Sequence, residues 1–93
     1  MWKIVVTDEF KRRYSLLLTQ LKRKAEKQER LFCSNPFYPS LHTEKLEPKG
    51  KQIWTIRVDS NFRITFKFVD KDTVAFMTVG PYDWIYRVWF NNQ

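Results

Sequence analysis

The sequence predicts an α+β fold in which an N-terminal strand and one or two helices pack on an antiparallel β-sheet. Three observations predict this class. A short apolar run at residues 4–6 opens the chain, apolar residues at helical spacing follow over residues 8–32, and from residue 52 onward the apolar residues alternate with a period of two. The 93 residues suffice for one core, so we expect a single domain over residues 1–93.

The composition is basic and aromatic. Lys and Arg number 17 against 10 Asp and Glu, which gives a formal net charge of +7, and the chain has 8 Phe, 4 Tyr and 4 Trp. A positive field attracts polyanions, so nucleic acid or an acidic protein is the expected kind of partner. Small basic domains also occur without such a partner, and the charge alone leaves both interpretations open.

The chain has few residues suited to disulfides or to zinc. Cys33 is the single cysteine and His42 the single histidine, which excludes an internal disulfide and a set of soft zinc ligands. The apolar run at residues 4–6 is too short for a signal peptide, and no apolar run has the length of a membrane span. We therefore expect a cytoplasmic protein that uses no metal, no cofactor and no membrane. His42 lies two residues from Glu44, which keeps it as an alternative proton carrier.

The helical segment has a clear start. Thr7 followed by Asp8 and Glu9 predicts an N-cap with acidic residues at the positive end of a helix. Helical spacing continues, with no Gly or Pro before Pro36, through Phe10, Tyr14, Leu17, Leu18, Leu21 and Ala25. The pattern leaves open one long helix or two with a break near Thr19. Its basic face is interpreted as solvated, with nucleic-acid contact as the alternative.

Three strands are predicted after the proline-rich stretch at residues 35–39, which ends the helical layer. They cover residues 52–58, 62–69 and 73–79, with three-residue hairpin connections at 59–61 and 70–72. Gly80 and Pro81 are predicted to form a bend that ends the third strand.

A self-consistent register follows if Val58 faces Phe62, because a slip of one residue would turn every side chain to the opposite face. One face is then apolar and packs under the helices, with the facing pairs Ile56 and Ile64, Trp54 and Phe66, Gln52 and Phe68, Phe68 and Val74, and Phe66 and Phe76. The other face is polar, with Arg57 opposite Arg63 and Thr55 opposite Thr65. The same register places Arg63 beside Val79.

Two arginines directly opposite each other predict an anion site. Like charges across a strand pair are destabilising, so Arg57 and Arg63 require an anion or a nearby carboxylate such as Asp59 or Asp83. A phosphate would accept from both forked guanidiniums. The alternative is that both side chains extend into water and pair with those carboxylates. The Gly-Pro bend would bring Tyr82 and Tyr86 to the same end of the sheet, where bases stack on aromatic rings.

The order and spacing of several short elements resemble a known superfamily. These elements are Thr7-Asp8-Glu9-Phe10 after the opening strand, Asn35-Pro36, Glu44-Lys45-Leu46, Trp54-Thr-Ile-Arg-Val58, Asn61-Phe-Arg-Ile-Thr-Phe66, and Val79-Gly80 leading to Asp83 and Tyr86. Over nearly its full length the chain resembles the RelE/ParE superfamily of toxins from type II toxin-antitoxin pairs.

The resemblance implies a RelE-like fold and, for the RelE and YoeB-like branch, a metal-independent endoribonuclease. Such enzymes cleave messenger RNA in the ribosomal A site by attack of a ribose 2'-hydroxyl on the adjacent phosphate. The expected partners are the ribosome, mRNA and a cognate acidic antitoxin. The resemblance places Glu44 at the position of the base, and Arg63, Tyr82 and Tyr86 complete the expected catalytic group. Lys49, Lys51 and Arg57 resemble its phosphate-binding residues, and we include Arg87 with them.

Tyr82 departs from the family pattern, because that position is commonly a histidine or an arginine in the ribonuclease members. A phenol has an ordinary pKa of about 10, so it donates a proton slowly unless neighbouring arginines lower that pKa. Two alternatives therefore stay open. One is a ParE-like toxin that inhibits DNA gyrase, and the other is a catalytically degenerate member that binds only its antitoxin.

Overall fold

The computed structural model describes residues 1–46 and 52–90. It contains one five-stranded sheet in the order β1-β5-β4-β3-β2. The elements are β1 (Lys3–Val6), α1 (Asp8–Ser15), α2 (Thr19–Ser34), a 3₁₀ turn (Pro39–Leu41), β2 (Glu44–Lys45), β3 (Trp54–Arg57), β4 (Phe62–Phe68), β5 (Thr73–Pro81), α3 (Tyr82–Ile85) and a π-helical turn (Tyr86–Phe90). Neighbouring strands are antiparallel, except that β1 lies parallel to β5. The predicted α+β class is confirmed.

The helical segment forms two helices. Thr7 caps α1 as predicted, because its Oγ1 accepts a hydrogen bond of 3.0 Å from the amide of Phe10. At the other end the Ser15 hydroxyl donates to the carbonyl of Arg12 at 2.7 Å, a local bond that competes with helix continuation. The helical placement of Leu17 and Leu18 is wrong, since both lie in the connection before α2 begins at Thr19. Of the helices in the part of the chain described, none is both long and apolar enough to cross a membrane.

The main core lies between the sheet and the two long helices. The Phe32 ring of α2 meets Phe66 and Phe76 edge to face, at centroid distances of 5.0 and 5.4 Å. Phe10 of α1 packs on Phe76 at 5.5 Å. All four side chains are buried, and the predicted apolar face of the sheet is buried with them at Ile56, Ile64 and Val74. That part of the prediction is confirmed.

A β-bulge corrects the predicted register of β5. Four predicted pairs between β3 and β4 are observed, which are Trp54 with Phe66, Thr55 with Thr65, Ile56 with Ile64 and Arg57 with Arg63. The predicted pair of Gln52 with Phe68 is wrong, because Gln52 lies outside β3. Between β4 and β5, Phe66 pairs with Phe76 and Phe68 with Val74 as predicted. Met77 is an extra residue in β5, so beyond it the pairing is shifted by one position. Arg63 therefore pairs with Gly80, and the prediction that Arg63 lies beside Val79 is wrong. The hydroxyl of Thr7 donates to the Met77 carbonyl at 2.7 Å, which satisfies a polar group at the bulge.

Strand ends also differ from the predictions. β5 continues through Gly80 and Pro81, so the predicted bend at these residues is wrong, and the chain turns only after Pro81. β3 begins at Trp54, because Gln52 has a positive φ of 56°. β2 was not predicted, since a pair of residues is too short to show a period of two.

The second face of the sheet carries a smaller core. Thr55, Thr65 and Thr78 form a buried row across β3, β4 and β5. Ile85 of α3 is fully buried and clusters with Leu46 and Ile53. The face that was predicted to be polar is therefore closed at its centre, and its charged groups lie toward the ends of the strands.

Candidate active site

Strand pairing places three of the predicted charged residues on one face. Glu44 of β2 pairs with Thr55, and Arg57 pairs with Arg63. Directly opposed residues in an antiparallel pair project from the same face, and along a strand every second residue does so. Glu44, Arg57 and Arg63 therefore project from the face that α3 covers.

Helix α3 is held in place by contacts at both of its sides. The amide of Tyr82 donates to the carbonyl of Asn61 at 2.6 Å, which ties the start of α3 to the β3–β4 turn. Gly80 lies under Trp84, and a Cβ there would be 2.7 Å from Cε3 of that ring. On the other side Arg13 stacks on Trp84 at 4.1 Å. These contacts fix where the tyrosines of the C-terminal segment point.

Four predicted catalytic residues form a continuous chain of contacts. The Tyr86 hydroxyl donates to Oε1 of Glu44 at 2.9 Å. The rings of Tyr86 and Tyr82 are 4.5 Å apart, and the Arg63 guanidinium lies over the Tyr82 ring at 4.9 Å. The structure thus brings together a carboxylate, two phenols and a guanidinium.

Arg63 is oriented by backbone oxygens. Its Nη1 donates to the carbonyls of Asp59 at 2.8 Å and Phe62 at 3.1 Å. It makes no ion pair with any carboxylate among residues 1–46 and 52–90. Burial and then Arg57 lower the pKa of Arg63, while Tyr82 acts in the opposite direction. The guanidinium stays charged, and within the described ranges no hydrogen bond engages Nε or Nη2, so both can donate to an anion.

Tyr86 is held in its protonated form. Burial raises the pKa of this phenol most, and the hydrogen bonds with Glu44 and Tyr82 raise it further. The phenol therefore keeps its proton at neutral pH. Glu44 and Tyr86 together offer one carboxylate that accepts a proton and one hydroxyl that donates a proton.

A cavity of about 480 Å³ lies beside this group, and we name it the Arg63 cavity. It is lined by Ser60, Asn61, Phe62, Arg63, Pro81, Tyr82 and Asp83. Tyr82 is 38% exposed and separates the cavity from the Glu44–Tyr86 pair. In the described part of the chain no group of three or more His, Cys, Asp or Glu residues could hold a metal ion.

The remaining predicted residues are not part of this chain of contacts, although Arg57 is directly opposed to Arg63. Arg57 lines a second cavity of about 370 Å³ between α2 and the β3–β4 turn, which we name the α2 cavity. Arg87 is exposed on the π-helical turn, and in the described ranges no contact joins it to the catalytic group. Lys49 and Lys51 lie outside the described residues. His42 is exposed and lines the α2 cavity, with no hydrogen bond to Glu44 or to the two tyrosines in the described ranges.

Two positioning residues were not predicted. Asn61 anchors Tyr82 through its backbone carbonyl, and Trp84 fixes α3 through Gly80 and Arg13. Only the glycine gave a signal in the sequence, because a glycine often marks a close approach to the backbone.

One family model matches more than half of the chain. Residues 25–79 match the family model of the RelE-like toxin HigB from type II toxin-antitoxin systems, a stretch that includes Glu44, Arg57 and Arg63 but ends before the tyrosines. No curated protein sequence matches significantly.

Solved structures show the same fold. One is the YoeB/ParE toxin from Agrobacterium tumefaciens, with a TM-score of 0.74, 15% identity, and coverage of 86% of this chain and 98% of that one. The E. coli DinJ-YafQ toxin-antitoxin complex matches with a TM-score of 0.73, 15% identity, and coverage of 91% and 97%. The archaeal RelE-RelB complex from Pyrococcus horikoshii matches with a TM-score of 0.69, 13% identity, and coverage of 86% and 93%.

The family model covers more than half of the 93 residues, and the predicted RelE-like fold is confirmed by the solved structures. The chain belongs to the RelE-like HigB toxin family of type II toxin-antitoxin systems, within the RelE/ParE superfamily.

Proposed function

We propose that this toxin is a ribosome-dependent endoribonuclease that cleaves mRNA in the A site. The observation that carries the proposal is the contact between Glu44 and Tyr86, next to Tyr82 and the Arg63 guanidinium. Cleavage by a 2'-hydroxyl needs a base, a proton donor and a cation at the phosphate, and these groups are contiguous here.

Glu44 acts as the base in the proposed reaction. The carboxylate takes the proton of the ribose 2'-hydroxyl, and that oxygen attacks the adjacent phosphorus. The new O2'–P bond gives a 2',3'-cyclic phosphate, and the bond from phosphorus to the 5'-oxygen breaks. The step as written needs no metal ion, because Arg63 offers Nε and Nη2 to the oxygens that gain negative charge.

Tyr86 supplies the proton for the leaving group. Its phenol is protonated at neutral pH and donates to the departing 5'-oxygen, which is a far stronger base than a phenolate. The proton on Glu44 then returns to Tyr86 along the 2.9 Å hydrogen bond, which restores both groups. Tyr82 is assigned to the wall of the site, where its ring supports Arg63 and presents a face to a base.

The wider surface is assigned to RNA and to an antitoxin. We assign Lys49, Lys51, Arg57 and Arg87 to phosphates away from the cleavage point, where cations supply affinity without sequence information. An acidic antitoxin complements the formal charge of +7. Similar toxins crystallise as the DinJ-YafQ and RelE-RelB complexes, which supports such a partner. Action on translating ribosomes places the protein in the cytoplasm.

The proposal is tested by inducing the toxin in cells and mapping mRNA 5' ends on translating ribosomes. We expect cuts within A-site codons for the wild type and none for Glu44→Gln produced at the same level. Intact messages together with DNA breaks would instead establish the gyrase-inhibiting alternative. Intact messages and intact DNA would establish a member that only binds its antitoxin.

A further inference from the structure

A cluster of aromatic rings lies at the margin of the main core. The Phe37 ring meets Trp54 edge to face at 5.7 Å and stacks on Phe68 at 6.3 Å, and Trp54 and Phe68 are 5.7 Å apart. Trp54 and Phe68 are half-buried against the main core, whereas Phe37 is 53% exposed. We name these three rings the Phe37 platform. It presents contiguous aromatic surface to the solvent, and surface of this kind commonly marks an interaction site.

The loop between α2 and β2 fixes Phe37 in its exposed position. The amide of Phe37 donates to Oδ1 of Asn35 at 2.9 Å, and the amide of Tyr38 donates to the Asn35 carbonyl at 3.0 Å. The Thr43 hydroxyl donates to the carbonyl of Pro36, whose ring fixes its own φ. The exposed ring is therefore ordered before any ligand arrives, which lowers the entropy cost of binding.

Lys45 joins the Phe37 platform to the candidate active site. It directly follows Glu44 in the edge strand β2 and pairs with Trp54, and successive residues of a strand project from opposite faces. The Lys45 ammonium lies over the Trp54 ring, 5.8 Å from its centroid, while Glu44 contacts Tyr86 on the other face. Consecutive Cα atoms are about 3.8 Å apart, so only the edge of the sheet separates the two sites. An RNA strand that leaves Glu44 across β2 meets Lys45 and then the platform.

The charges around the platform favour a single-stranded nucleic acid as its ligand. Unpaired bases stack on aromatic rings, and a neighbouring cation holds the phosphate of the same strand. Asp70 and Asp72 lie in the turn between β4 and β5, so an anionic strand reaches the rings from the side of Lys45 in β2. A second copy of this chain is disfavoured as the occupant, because each copy has a formal charge of +7.

We propose that the Phe37 platform binds an unpaired base of the RNA strand that flanks the cleaved phosphate. This inference rests on the proposed ribonuclease function. The base stacks on the Phe37 ring, and the adjoining phosphate lies at Lys45. Stacking accepts every base, so the platform adds affinity and directs the strand around the sheet edge without selecting a sequence.

The test measures binding of a short single-stranded RNA in which every 2'-hydroxyl is methylated. Such a strand cannot be cut by 2'-hydroxyl attack, so binding is read independently of cleavage. Phe37→Leu keeps apolar bulk but removes the ring, and we expect it to raise Kd about tenfold, within the range for one base stacked on an aromatic side chain. Phe37→Trp should bind at least as tightly as the wild type. Lys45→Ala should lower the slope of log Kd against log salt by about 0.7, the value for one phosphate, whereas Phe37→Leu should leave that slope unchanged.

A set of strands that each lack one base locates the contact. Removal of the stacked base should weaken binding to the wild type but not to Phe37→Leu, so the two losses should not add. The matched control is Tyr38→Leu, which removes the neighbouring exposed ring outside the platform and should change Kd less than about twofold. Thermal unfolding checks that each variant is folded, and Phe37→Trp retains an aromatic ring beside Trp54 and Phe68.

Equal Kd values for the wild type and Phe37→Leu, or weaker binding by Phe37→Trp than by the wild type, would overturn the proposal. Additive losses for every missing base would overturn it as well. Unchanged RNA binding with weakened antitoxin binding would also overturn it and assign the platform to the antitoxin. Wild-type protein that binds the methylated RNA through Phe37 but cuts no mRNA would contradict the proposed enzyme and leave the platform standing.

Discussion

The Tyr86 hydroxyl donates a 2.9 Å hydrogen bond to Glu44 Oε1 and joins two residues 42 positions apart in the chain. Glu44 belongs to the shortest strand, at the edge of the sheet, and Tyr86 begins the C-terminal turn. The bond exists only because α3 packs over the sheet face from which Glu44 projects. It makes the two side chains one chemical unit, which has measurable consequences.

Glu44→Gln and Tyr86→Phe should show strongly non-additive effects on RNA cleavage. We expect each single change to lower the cleavage rate by about 10²- to 10⁴-fold, the usual range for a general acid or base. The double variant should be little worse than either single one, because each change already disables the shared proton path. Rates on programmed ribosomes test this, with Tyr38→Phe as a control at an exposed tyrosine. Additive losses would show that the two residues act separately.

Tyr86 should make the stability of the protein sensitive to alkaline pH. The folded-state pKa lies above the ordinary value of 10.0, so the folded protein keeps a proton that the unfolded chain loses. The stabilising contribution of Tyr86 is complete below pH 10.0 and is lost as the pH rises through the folded-state pKa. Urea unfolding from about pH 9 to about pH 12 should show the wild type losing stability relative to Tyr86→Phe. A constant difference would contradict the raised pKa.

Arg63→Ala should abolish growth arrest and leave the protein folded. The side chain lies at the end of the sheet and forms hydrogen bonds with the carbonyls of Asp59 and Phe62, so its loss should lower the free energy of unfolding by about 1 to 2 kcal/mol. Arg63→Lys keeps the charge without the planar fork, and we expect at least about a tenfold loss of cleavage. Thermal unfolding and cleavage assays on both variants test this. A global loss of folded structure in Arg63→Ala would refute the assigned position.

Gly80→Ala should disturb the site from a position outside it. The added Cβ would be 2.7 Å from Cε3 of Trp84, so that ring must shift. Because Trp84 belongs to α3, we expect the shift to disturb Tyr82 at the start of α3 and Tyr86 directly after it. We expect a loss of about 1 to 3 kcal/mol in the free energy of unfolding, as for other overpacked sites, together with reduced cleavage. Trp84→Leu in the same chain should relieve the clash and recover part of the stability. The test compares the cost of Gly80→Ala in the wild-type chain with its cost in the Trp84→Leu chain. Equal costs would exclude the contact with Trp84 as the cause.

The sequence by itself determined the features that depend on neighbouring residues or on short-range pairing. These are the Thr7 cap, the helical segment, the strands after residue 52 and the facing of Arg57 with Arg63. Each follows from a local cause, because a cap, a periodic apolar pattern and a tight hairpin are set within a few residues. The residues of the catalytic group were also named from the sequence, through the family pattern.

Tertiary structure decided how those residues meet. The Met77 bulge moves Gly80 next to Arg63, β2 pairs with β3 at the edge, and α3 folds over the second face of the sheet. Arg57 does not line the Arg63 cavity, although the two residues are directly opposed across β3 and β4. None of these has a local signal, because each is selected by packing and by hydrogen bonds between segments distant in the chain, whose energies depend on the whole folded arrangement.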